Sequence, residues 1–331
     1  MNNPYVKTLE PVWLDTDYVR VNEEKLRELI RGIKQKKDNG ELGIPAWDIP
    51  NVQPPLDCKL TEWLDFVCTV SSVNFSFTNF EPPHNKFVVE YPEGVYWQGA
   101  FALGASFMRA QKEDIQIFDA WHLSEISLEE LNHVFRPMDS MHRMPLIEKR
   151  LQIFHEVGRM LIKKYDGSWL NLFERGDWRA FNNGKGIVEQ LASNFPSFRD
   201  VRNYNGRVLK FHKRAQLLVM MHYGRAFNSG WRFPIIDDIE DIGPIADYEV
   251  PKALKFLGVL KYASELDAAI KNHQVILPGN PREIENRLSM SYVMKRICDE
   301  AGINMAQADY YIWNIGRKSQ EPHILVPTTD Y

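Results

Sequence analysis

The sequence predicts a mainly α protein, a single helical domain spanning residues 1–331, with one small β element near residues 70–95. Two observations carry that prediction. Apolar residues recur three and four apart through most of the chain, the period of a helix with one buried face. Strand-like alternation is confined to residues 70–95, so the strand–helix alternation that a parallel α/β sheet requires is missing. With 331 residues, 44% of them hydrophobic, the chain can bury a large core without disulfides or metals.

The elements follow in order. Asn22 is a good N-cap for a helix carrying Leu26, Leu29, Ile30 and Ile33. Pro45, Pro50, Pro54 and Pro55 make residues 40–56 a long ordered loop. Thr61 to Phe66 is expected to be helical. Val73 to Phe77 alternates like a strand, and Lys86 to Tyr91 is a second strand that pairs with it as a hairpin. A helix is expected from Trp97 to Ala110, and Ser127 with Glu130 forms a capping box for another through Phe135. Pro145 opens a helix whose apolar positions run from Leu146 to Tyr165. Further helices are expected at Ile187–Asn194, along Val208, Phe211, Ala215 and Leu218, and from Pro251 through Leu254, Leu257, Leu260, Leu266 and Ile270. Asn280-Pro281 caps a long helix through Ala301, and the stretch from Asp309 reads as aromatic, then irregular.

Composition narrows the function. Forty Lys and Arg stand against 44 Asp and Glu, with a pI near 6.2. Proteins that clamp duplex nucleic acid carry a basic excess, so a nucleic-acid polymer is not expected as the partner, whereas a single nucleotide needs only one or two cations. Cys58, Cys68 and Cys298 are widely spaced and form no CxxC, which argues against a disulfide framework or a zinc ribbon. The N-terminus shows no signal pattern and no apolar run is long enough for a bilayer. The expected setting is cytoplasmic, with no membrane partner, no metal and no cofactor. Dinucleotide fingerprints, the phosphate-loop lysine motif, zinc-protease spacing and the GxSxG elbow are all missing.

Two segments stand out. Phe211-His212-Lys213-Arg214-Ala215-Gln216 sets a basic pair in an amphipathic stretch. Asp237, Asp238, Glu240 and Asp241 form an acidic run, followed by Asp247 shortly before Pro251. A carboxylate there would sit near helix N-terminal amides that favour its ionised form. From spacing alone, Asp247 reads better as a helix cap, Lys213 as a solvated or ion-paired lysine, and the acidic run as a solvated loop.

These segments belong to an ordered set that resembles the queuosine salvage family, the queuosine 5′-phosphate N-glycosylase/hydrolases. Asn74-Phe75-Ser76-Phe77, Tyr96-Trp97, Met144 to Arg150 and Gly167 to Asn171 resemble family blocks. So do Phe195 to Asp200, Phe211 to Gln216, Ala246-Asp247-Tyr248 with Pro251, Leu257-Gly258, Glu283 to Arg287 and Asp309 to Trp313. The set covers residues 15 to 331. Four places depart from the pattern. Thr78 stands where the family's NFSFW ends in Trp, Glu249 and Lys252 replace Arg and Gln of its ADYRVPQ, and Pro322 to Pro327 replaces a basic C-terminal segment.

The resemblance implies a fold like that of helix-hairpin-helix DNA glycosylases. It also implies hydrolysis of the N-glycosidic bond of queuosine 5′-monophosphate, or of queuosine, to release the 7-deazaguanine base queuine for tRNA modification. It makes Asp247 the catalytic carboxylate at the ribosyl carbon. Lys213 is the candidate for binding phosphate or ordering Asp247, and Arg287 a further phosphate candidate. Phe75, Phe77 and Tyr248 are candidates to stack on the base. Asp238 or Asp309 is expected to pair with the amine that queuine carries. The alternatives are a glycosidase for another modified nucleoside or nucleotide, a non-catalytic binder of a modified base, and a DNA glycosylase, the last on fold analogy alone.

Overall fold

The computed structural model describes residues 2–331; Met1, the first residue of the expected domain, lies outside them. Helices carry the fold, and among the described residues the named strands form three two-stranded antiparallel pairs. The β content is therefore spread over three places and not confined to residues 70–95. Val19–Val21 pairs with Leu260–Tyr262, Val88–Glu90 with Tyr96–Gln98, and Val201–Tyr204 with Arg207–Lys210.

Three helices make the centre. Leu60–Ser72, Lys213–Asn228 and Pro281–Ala301 bury most of their residues, as helices surrounded by other helices must. The long Pro281–Ala301 helix has Asn280 accepting from Arg282 N at 3.0 Å, proline at its first position, and Gly302 at φ +66° after its last turn. Glu23–Asp38 packs on it through Leu26, Ile30 and Ile33. Glu249–Phe256 lies on Met305–Lys318 so closely that a methyl group at Gly316 would stand 2.5 Å from the Glu249 carbonyl oxygen. One continuous hydrophobic core runs from Leu9 to Tyr331.

Several elements differ from expectation, each for a local reason. Residues 73–77 are not a strand. Arg150 takes the carbonyls of Phe75 and Ser76, and Ser76 N donates to the Tyr331 carbonyl at 3.2 Å, so these backbone groups have no ladder to join. The hairpin forms instead between Val88–Glu90 and Tyr96–Gln98, and the following helix, Ala100–Lys112, begins only after Gly99 at φ +61°. Val208 lies in a second hairpin, turned at Asn205-Gly206 with both φ values positive, a strong hairpin dipeptide. The helix beyond it starts at Lys213. The helix expected from Pro251 to Ile270 is broken at Gly258 (φ +72°) into Glu249–Phe256, the strand Leu260–Tyr262 and Ser264–Lys271. Residues after Asp309 are not irregular at first: Asn304 caps Met305–Lys318, accepting from Gln307 N at 3.1 Å.

Candidate active site

The central helices and the Glu249–Phe256/Met305–Lys318 pair leave a deep pocket between them. Among the ionisable side chains that line it, three come together from three elements. Lys213 comes from the first position of Lys213–Asn228, Asp247 from the segment entering Glu249–Phe256, and Asp309 from Met305–Lys318.

Asp247 is fixed by its backbone neighbours. Its Oδ1 accepts from Glu249 N at 3.0 Å and Val250 N at 2.9 Å, so it caps the helix and faces the pocket at once. Burial pushes the Asp247 carboxyl above its ordinary range, while Lys213 and the two amides pull it back down. Lys213 is 5% exposed and its ammonium makes no hydrogen bond or ion pair among the described residues. Burial lowers its pKa, and Asp247 and Asp309 oppose that. Its own amide donates to Asp200 Oδ2 at 3.2 Å, which anchors the start of the helix.

Asp309 is 7% exposed, and its Oδ1 is fully buried with no hydrogen-bond partner among the described residues. Burial, then the charge of Asp247, push its carboxyl well above the ordinary range, against the pull of Lys213.

Aromatic rings form the walls. Phe75, Phe77, Tyr248 and Tyr331 line the pocket together with Trp47, Phe101, Tyr310 and Trp313. The Arg150 guanidinium lies 4.2 Å from the Phe75 centroid and 5.6 Å from that of Phe77, pinning both rings from behind. Tyr248 stacks on His323 with centroids 4.3 Å apart. His323 bonds Thr78 Oγ1 through Nε2 at 3.0 Å, and burial lowers its pKa to about 4, so the ring is neutral.

The four departures from the family pattern thus touch one another in pairs. Thr78 and His323 bond beneath Tyr248. Glu249 pairs with Lys252 at 2.5 Å and with Lys86 at 3.1 Å. Although burial opposes its ionisation, Lys86 and Lys252 hold the Glu249 carboxyl down at about 2.

Two expected site residues are elsewhere. Asp238 does not line the pocket: its carboxylate accepts from Ala180 N at 2.7 Å and Phe181 N at 2.8 Å, tying down that loop. Arg287 does not line it either. It lies between the rings of Phe211 and Tyr331 and makes a two-pronged pair with Asp200 at 2.9 and 2.5 Å. It also donates to the Ala246 carbonyl at 3.0 Å, so it supports the segment that presents Asp247.

Several lining residues escaped sequence reasoning. Trp313 and Arg317 continue the four-residue spacing from the expected Asp309 along one helix face, a signal that reading the stretch as irregular conceals. Arg317 stacks over Phe101 and Trp313 at 4.3 and 4.9 Å. Tyr331 reaches the pocket from the far end of the chain, its hydroxyl donating to Glu283 at 3.1 Å, and no local pattern marks it. Among the described residues no three His, Cys, Asp or Glu side chains gather as metal ligands.

The family model for queuosine salvage proteins matches residues 55–329. The chain belongs to the queuosine salvage family. The match takes in Phe75, Phe77, Lys213, Asp247, Tyr248 and Asp309 and leaves Trp47 and Tyr331 outside it. A queuosine 5′-phosphate N-glycosylase/hydrolase of Mus musculus is 33% identical over 80% of this chain and 79% of its own length. One of Bos taurus is 30% identical over 92% and 90%, and one of Sphaerobacter thermophilus 30% over 82% and 84%. The salvage-family resemblance is therefore confirmed at the level of the family.

Proposed function

We propose that this chain hydrolyses the N-glycosidic bond of queuosine 5′-monophosphate and releases queuine for salvage into tRNA modification. The observation that carries this is the buried Asp247, capping a helix in a pocket between Lys213 and Asp309, in a chain whose relatives across nine-tenths of its length carry that activity in their names.

Breaking the C1′–N bond builds positive charge on the ribose. A carboxylate at C1′ stabilises that charge, attacks it, or activates water. Asp247 takes this role: its two amide donors fix it before substrate arrives, so no reorganisation is needed in the transition state. Lys213 keeps Asp247 ionised and orders it. Phe75, Phe77 and Tyr248 stack on the flat base, their rings held by Arg150 and His323. With Arg287 committed to Asp200 and Lys86 to Glu249, Lys213 and Arg317 are the pocket cations left, among the described residues, to meet a phosphate. Of the two carboxylates expected near queuine's amine, Asp309 is the one at the pocket.

The same reading makes residues 1–331 a single domain of the helix-hairpin-helix glycosylase type, supported by the continuous core and the predominance of helices. It places the protein in the cytoplasm, in keeping with three buried free cysteines. Among the described residues no helix is long and apolar enough to cross a membrane.

The test is chromatography of the purified protein incubated separately with queuosine 5′-monophosphate and queuosine. Queuine release from the nucleotide supports the proposal. Release from the nucleoside alone would reassign the substrate, and release from neither would overturn the reading.

A further inference from the structure

A 7-deazapurine carries carbon where a purine has N7, so a leaving 7-deazaguanine cannot be protonated there. The negative charge that reaches the base as C1′–N9 breaks must be met at its pyrimidine-ring edge. Asp247 faces the opposite demand, the positive charge at C1′, and is needed there as an anion. A second group has to supply the proton.

Asp309 has the geometry of that group. It lines the same pocket, is more than nine-tenths buried, and its carboxyl makes no hydrogen bond among the described residues, with Oδ1 fully enclosed. A buried carboxylate with no donor would be costly to hold as an anion. The groups facing it are Asp247 from the segment before Glu249–Phe256, Lys213 from Lys213–Asn228, and the Cys298 thiol from Pro281–Ala301. One ammonium thus stands against two carboxyls. Lys213 neutralises one of them, and Asp247 has the stronger claim through its two backbone donors. The other keeps its proton, as in carboxylate pairs that share one. Burial and the Asp247 charge raise the Asp309 pKa in keeping with this.

We infer that Asp309 is the proton donor to the departing base, a catalytic acid opposite the Asp247 carboxylate. The inference rests on the N-glycosidase reading. The Asp309 O–H bond breaks and its proton goes to N3 of the base, beside the glycosidic nitrogen. The C1′–N9 electron pair moves into the ring and the base leaves neutral. The oxygen of water bonds to C1′, and the proton it releases returns to the Asp247–Asp309 pair, which again holds one. This replaces amine pairing as the function of Asp309, since a protonated acid is a poor partner for an ammonium.

The experiment compares the unaltered protein with Asp309→Asn, which matches the neutral acid in shape and has no proton to give, and with Asp309→Glu. Three substrates are used: queuosine 5′-monophosphate, 7-deazaguanosine 5′-monophosphate, which lacks the amine, and 4-nitrophenyl riboside 5-phosphate, whose leaving group departs without a proton. Asp309→Asn is expected to lower kcat about a hundredfold or more on both deazapurine nucleotides and less than about tenfold on the nitrophenyl substrate. Asp309→Glu is expected to restore part of the loss. For the unaltered protein, kcat falls at alkaline pH on the deazapurines and holds on the nitrophenyl substrate. Equal loss on all three would make Asp309 structural, and loss confined to queuosine 5′-monophosphate would return it to the amine; either overturns the inference, as would full turnover by Asp309→Asn. A melting temperature no lower than that of the unaltered protein shows that the variant folds. If the unaltered protein releases base from neither nucleotide, the reading of function fails and the inference with it.

Discussion

At the scale of residues, Asp247 caps a helix and, on the proposed mechanism, also acts at C1′, two jobs that substitution can separate. Asp247→Asn keeps an oxygen for the amides of Glu249 and Val250 and removes the charge. It is expected to leave the fold intact and lower kcat by about 10²–10⁴, measured by queuine release. Asp247→Ala also removes the cap, a further cost to stability of about 0.5–2 kcal/mol. The pH profile carries its own sign. If Asp247 acts as the carboxylate at C1′ it must be ionised, so activity is expected to be lost as pH falls through its pKa, which burial raises and Lys213 restrains. Lys213→Met removes the restraint, so the acid limb should move to higher pH; an unmoved limb would mean that Lys213 does not face Asp247 in the working enzyme. Asp247 and Lys213 were legible from the family-like blocks around them. That Asp238 and Arg287 lie off the pocket is not legible there, because charge and proximity in sequence do not reveal that Asp238 is held by backbone amides and Arg287 by Asp200.

At the scale of elements, the site depends on how tightly Glu249–Phe256 sits on Met305–Lys318. Gly316→Ala would drive a methyl group into the Glu249 carbonyl. It is expected to cost about 1–3 kcal/mol in denaturant unfolding and to lower turnover, because the two helices present Asp247 and Asp309. The Glu249–Lys252 pair gives a second test of this region. Glu249→Arg alone sets a third cation beside Lys86 and Lys252 and should cost about 3–5 kcal/mol, as when one partner of a buried pair is lost. Adding Lys252→Gln, which completes the family's Arg and Gln, should recover a large part of that loss. A double-mutant cycle measures the coupling, and additive losses would show that the two departures are independent. Helices with clean apolar periods, such as those after Asn22 and Pro145, were legible in the sequence. The C-terminal helix was not, because the aromatic cluster of Tyr310, Tyr311 and Trp313 masks the four-residue spacing of Asp309, Trp313 and Arg317. The Asn205-Gly206 turn was a local signal passed over in favour of a helical period that ran through it.

At the scale of the whole molecule, the pocket gathers side chains from Trp47 to Tyr331, and no local pattern announces such an assembly. Placing Lys213, Asp247 and Asp309 together in its wall sets function against stability. In the unfolded chain Asp309 ionises at an ordinary carboxylate pKa, whereas in the folded protein burial and Asp247 raise that pKa well above it. The fold therefore binds a proton that the unfolded chain releases. Below the unfolded pKa both states are protonated and Asp309 imposes no electrostatic penalty. As pH rises from there toward the folded pKa, the unfolded state is favoured progressively and stability is lost. Asp309→Asn removes a group that must stay protonated or ionise unpaired. Thermal melts across pH should show the variant matching the unaltered protein near pH 3 and exceeding it at pH 7–8, while its turnover is the lower of the two. A variant less stable at every pH would mean that Asp309 is held by contacts that stabilise the fold, and the pocket would then not be storing instability for catalysis.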